Sequence, residues 1–153
     1  MKLNTILLGA ALGFAALPAF AEIIVDDPYA RASSPTAQVG AAFMAIRNSG
    51  NEDDRLVAAA SGAARRVELH TNVMTNEVAK MMRVDEGFVV PANGEVLLQR
   101  GGKHVMMMGL TAAFIQDETI SLTLTFEKAG EMIIVVPIDN VRMDNAMSDM
   151  SDN

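Results

Sequence analysis

From residue 23 onward, apolar and polar positions alternate with a period of two, interrupted by turn-forming residues. Ile120, Leu122, Leu124 and Phe126 alternate with Ser121, Thr123 and Thr125, as in a strand with one buried face. The same reading applies to VGAAFMAIRN, RLVAAA, RRVELHTNV, VAKMMRV, GFVVP, EVLLQ, KHVMMMGL and EMIIVVPI. Between these runs lie SSP, NSGNEDD, SGA, PANGE, GGK and EKAGE, all turn-like in composition. Asn93-Gly94 is the strongest tight-turn candidate. Helical spacing is hard to find. About eight or nine short strands predict a single all-β domain, a sandwich or barrel. The pattern does not give the order of the strands.

The two ends depart from this pattern. Residues 1–21, MKLNTILLGAALGFAALPAFA, combine a positive Lys2, an apolar stretch and a small-x-small site at Ala19-Phe20-Ala21. This is the anatomy of a secretory signal peptide, and the apolar run is short for a membrane span. Cleavage would leave a chain beginning at Glu22, and a bacterial periplasm is the expected location. At the other end, residues 141–153 turn polar and acidic, with Met143, Met147 and Met150 spaced through them. They lack the hydrophobicity to pack and are expected to form a disordered tail. The β domain is therefore placed at residues 22–140.

Composition narrows the chemistry. Residues 22–153 number 132, enough for one domain with its own core. Removing Lys2 from the 12 basic residues leaves 11 against 19 acidic ones, a formal charge of −8. That balance argues against nucleic acid or an anionic membrane as partner. Cysteine is absent, which removes disulfide staples, a cysteine nucleophile, thiolate metal sites and a blue-copper centre. Any soft-metal chemistry must then use methionine and histidine.

The chain has two histidines and 12 methionines. Methionine ordinarily fills core gaps, and a lone strand histidine is ordinarily a hydrogen-bonded or surface residue. In KHVMMMGL, however, alternation places His104, Met106 and Met108 on one face and Val105 and Met107 on the other. His-x-Met is the spacing that aims an imidazole and a thioether the same way. His70 lies opposite Leu69 in RRVELHTNV. In VAKMMRV, Met82 shares a face with Val84 and is expected to look into the core, leaving Met81 on the other side. Thioether and imidazole together suit Cu(I), a soft ion.

This series resembles the signature of the PCu(A)C family of periplasmic copper chaperones, H-x10-M-x21-H-x-M. His70 is followed after 10 residues by Met81, and His104-Val105-Met106 closes the pattern. VELHT, VPANGE and GGKHVMMMGL are similar to family segments, as are DPYARAS, VGAAFMAIRN and DRLVAA, over roughly residues 23–137. One departure stands out. Met81 and His104 are separated by 22 residues and Met82 and His104 by 21, so neither methionine satisfies both spacings. The strand-face argument favours Met81, with Met82 as the alternative, and the extra residue is assigned to the turn around Asp85-Glu86-Gly87.

The resemblance implies a cupredoxin-like Greek-key β-barrel or sandwich binding one Cu(I) through His70, Met81, His104 and Met106. Met108, Met143, Met147 and Met150 are auxiliary candidates, and a secondary Cu(II) site is a further option. The resemblance also implies a monomeric chaperone rather than an enzyme. Its implied recipient is the cytochrome c oxidase subunit carrying the CuA centre, with Sco-type thioredoxin-like proteins as further partners. The competing reading is a periplasmic copper buffer or resistance protein without a dedicated recipient. A copper oxygenase with an N-terminal histidine brace is disfavoured by the expected Glu22 start.

Overall fold

The computed structural model describes residues 22–143. Residues 1–21, expected to be a signal peptide, and two of the tail methionines, Met147 and Met150, lie outside them. The strands are β1 (Ile23–Ala32), β2 (Val39–Asn48), β3 (Asp54–Ala60), β4 (Ala64–Thr75), β5 (Val78–Arg83), β6 (Phe88–Val90), β7 (Gly94–Leu98), β8 (His104–Leu110), β9 (Thr119–Phe126) and β10 (Gly130–Pro137). No helix occurs among the described residues. One sheet runs β1-β2-β8-β4-β5, with β7 also paired to β2, and the other runs β10-β9-β3-β6. All named strand pairs are antiparallel. The result is the all-β sandwich expected from the period-two pattern, with the cupredoxin-like character that the family resemblance implies.

The core follows from alternation. Val105 and Met107 of β8, Leu122 and Leu124 of β9, Ile46 of β2 and Leu56 of β3 are fully buried. They fill the space between the two sheets, so the residues between them in β8, His104 excepted, retain some exposure on the outer face.

β1 was not among the runs read from alternation, and its geometry explains why. The pairing of β1 with β2 shifts register between Asp26 and Tyr29, and Asp27 takes a positive φ of 48°. A bulge breaks the two-residue period that strand reading depends on. The Asn93-Gly94 turn is present, with Asn93 at φ 50° and Gly94 N–H donating to the Pro91 carbonyl at 3.1 Å. It joins β6 to β7, which lie in different sheets, so it is a corner between layers.

The β4–β5 connection is the tighter hairpin. Thr75 pairs with Val78, and the two residues between them, Asn76 and Glu77, both have positive φ (51° and 65°). This is the type I′ geometry whose twist matches the flanking strands. Among the described residues nothing covers this hairpin, and all six residues of β5 are exposed.

Candidate metal centre

The site lies on the outer face of the larger sheet, where β8, β4 and β5 run side by side. Register decides which side chains meet. His70 of β4 pairs with His104 of β8 on one side and with Arg83 of β5 on the other. One row along, Glu68 pairs with Met106. One row in the opposite direction, Asn72 pairs with Met81. Paired residues project to the same face, so Met106 and Met81 bracket the histidine pair from its two sides. The imidazole centroids are 6.0 Å apart.

Each imidazole has one nitrogen engaged and one left over. His104 Nδ1 lies 2.9 Å from the Gly102 carbonyl, and a carbonyl only accepts, so Nδ1 carries the proton. His70 Nε2 lies 2.8 Å from the Glu68 carboxylate, and by the same logic Nε2 donates there. The remaining nitrogens, His70 Nδ1 and His104 Nε2, are buried and find no hydrogen-bond partner among the described residues. Leaving two buried polar atoms unsatisfied is costly. Both are lone-pair atoms on one face, which fits a soft cation bound between them.

The surroundings support these tautomers. Burial pushes the His104 imidazole below its ordinary value of 6.5, and the nearby His70 adds to the effect; the neutral, ligating form is thereby favoured. Glu68 is held below the usual carboxylate range chiefly by the hydrogen bond from His70, with Arg83 and Arg66 assisting. Arg83 contacts Glu68 at 3.1 Å and Arg66 at 3.4 Å. On the β2 side the wall is aromatic, with Phe43 6.2 Å from His104 and Tyr29 5.1 Å from Phe43, centroid to centroid.

The other methionines separate cleanly. Met107 is fully buried core. Met108 pairs with Arg66, two rows from the histidine pair, and its sulfur accepts from the Arg66 guanidinium at 3.4 Å. Met82 departs from expectation. It has the inward parity expected from Val84, pairing with Thr71, yet it is 48% exposed. The second sheet does not extend beneath this part of β5, so inward parity there meets solvent. Met143 is exposed and follows Arg142, whose guanidinium pairs with Asp27 and lies 4.2 Å from the Tyr29 ring centroid. Contacts to the domain thus run on past residue 140. Glu68 went unremarked in the sequence, although Glu-x-His on a strand aims a carboxylate and an imidazole to one face.

Among the described residues, no group of three or more histidine, cysteine, aspartate or glutamate side chains is placed to hold a metal. A metal here has thioethers to complete its shell. The family model "Putative lipoprotein LpqE-like" matches residues 23–138. A copper-bound PCuAC domain from PmoF2 superposes with a TM-score of 0.66 at 25% identity, covering 80% of this chain and 96% of that one.

The chain belongs to the PCu(A)C-related, LpqE-like family.

The Cu(I) form of DR1885 from Deinococcus radiodurans superposes with a TM-score of 0.60 at 30% identity, over 85% of this chain and 84% of that one. Among curated sequences, "Putative lipoprotein Lxx21020" of Leifsonia xyli subsp. xyli is 36% identical over 98 residues, or 64% of this chain. That match spans 59% of the lipoprotein's own length. The fold and copper-binding character expected of a PCu(A)C domain therefore rest on sequence and structural likeness together.

Proposed function

We propose that this chain is an exported Cu(I) carrier of the cell envelope, held in the periplasm after cleavage before Glu22. It binds one ion through His70 Nδ1, His104 Nε2, Met106 and Met81, and passes it to the CuA centre of cytochrome c oxidase or a related haem–copper oxidase. The observation that carries this reading is the pair of buried, unpartnered imidazole nitrogens flanked by two thioethers. Copper-bound relatives of the same fold support it.

The donor set explains a carrier better than a catalyst. Thioethers and neutral imidazoles favour Cu(I), and no thiolate is present to trap it. Met81 is half exposed, leaving one side of the ion open to an incoming ligand. Copper can leave by stepwise replacement of these ligands without a change of oxidation state.

A Cu(I) competition titration tests the site. One ion per chain is expected, with a large loss of affinity in His104→Ala; full binding by that variant would refute the assignment. Mixing the Cu(I) protein with an apo CuA domain tests delivery. Retention of copper in that mixture would favour a buffer over a chaperone.

A further inference from the structure

The β4–β5 hairpin exposes a methionine that neither the core nor the four-ligand site uses. Met74 is 69% exposed, so packing does not explain it. It pairs with Ala79, while Asn72 pairs with Met81. Met74 therefore stands on the same face as His70 and Met81, displaced toward the hairpin tip. Met74 and Met81 are diagonal neighbours on adjacent strands, a relation of about 7–8 Å that long side chains can bridge. The small side chain of Ala79 across from Met74 leaves the space above the sheet open. The third exposed methionine of the hairpin, Met82, faces the other way, paired with Thr71.

We propose that Met74 and Met81 form an entry site for Cu(I), through which the ion passes from an external donor into the histidine pair. This rests on the four-ligand reading above. The incoming ion is held by the two thioethers while its donor's last ligand departs. The bond to the Met74 sulfur then breaks as the bond to His70 Nδ1 forms, and Met81 remains bound throughout. Copper stays Cu(I), and no proton is released, because His70 already carries its proton on Nε2 facing Glu68. Met74 thus acts on the rate of loading and not on the final affinity.

The test is stopped-flow loading of the exported apo chain from a coloured Cu(I)–bicinchoninate complex. It is run for the wild type, Met74→Leu and Met82→Leu, with final affinity measured in parallel. Met74→Leu is expected to load several-fold more slowly at unchanged affinity, and Met82→Leu to load like the wild type. Equal rates for all three, equal slowing in both variants, or an affinity loss in Met74→Leu would each overturn the proposal. A second readout uses Ag(I) with methyl-labelled methionine. Beyond one equivalent, the Met74 methyl resonance is expected to shift and that of Met82 to stay in place; a silent Met74 counts against the entry site. If the wild type itself fails to bind one Cu(I), or His104→Ala binds it equally well, the four-ligand reading fails first and the entry site falls with it.

Discussion

At His70 the nitrogen available to a metal is selected by its neighbour, because an ionised Glu68 accepts the Nε2 proton and leaves Nδ1 with its lone pair. The hydrogen bond from His70 chiefly keeps Glu68 ionised, and Arg83 and Arg66 assist and hold it in place. Removing the carboxylate frees His70 to rotate or change tautomer, and outer partners of this kind typically contribute ~10–100-fold in metal affinity. Glu68→Ala is therefore expected to lose Cu(I) affinity by about that factor in a competition titration, and Glu68→Gln, which retains an acceptor, by less. Two further substitutions resolve the spacing ambiguity between neighbouring methionines. Met81→Ala is expected to weaken Cu(I) binding and Met82→Ala to leave it unchanged, since Met81 shares the face of His70 and Met82 does not. Equal losses in the two variants would contradict the face assignment.

Strand β8 carries both faces of the problem, with the proposed ligands outward and core inward. Met107 is fully buried between the sheets, so Met107→Ala leaves a cavity and is expected to lower stability by about 2–5 kcal/mol in urea unfolding. Its neighbour in the pairing, Gly40, has little room. A Cβ there would lie 2.8 Å from Phe114 Cε2 and 3.1 Å from the Arg31 carbonyl oxygen. Gly40→Ala is expected to destabilise by ~1–3 kcal/mol through overpacking. Stability equal to wild type would show that Phe114 moves aside freely. Strand existence was legible where the two-residue alternation runs unbroken, as in β8 and β9. It was illegible in β1, where the bulge after Asp26 shifts the period. The inward parity of Met82 was readable too, but the extent of the opposing sheet was not, and that extent decides whether an inward residue is buried.

Over the whole molecule, stability and the proposed copper binding are expected to respond to acid through the same groups. Burial lowers the His104 pKa from 6.5, so the unfolded chain takes up that proton first. Stability contributed by neutral His104 is complete above pH 6.5 and is lost as pH falls from there through the lower folded value. Glu68, lowered from 4.5 by its hydrogen bond with His70, adds a second loss below pH 4.5. Apo-protein melting temperatures are expected to fall in this order on acidification, and a flat profile between pH 7 and 5 would contradict the His104 assignment. On the proposed function, Cu(I) bound to the folded state is expected to raise the melting temperature, with about 2.7 kcal/mol of stabilisation at a free ion concentration 100 times Kd. Chelation reverses the gain.

The sequence by itself determined the strands that alternate, the soft-donor chemistry that remains without cysteine, and the common face of His104 and Met106. These are local properties, set by the two-residue period of a strand and by residue type. His-x-Met spacing also carried the likeness to copper-binding relatives, because ligand spacing along one strand survives in sequence. Only the tertiary structure decided that His70 and His104 lie opposite each other, since strand order and register come from how two sheets pack. The folded geometry also determined which nitrogen of each ring is left without a partner, through a residue two positions earlier in each case, Gly102 for His104 and Glu68 for His70. The hairpin register set Met74 beside Met81, and Met82 stands in solvent because no strand of the second sheet among the described residues packs beneath it.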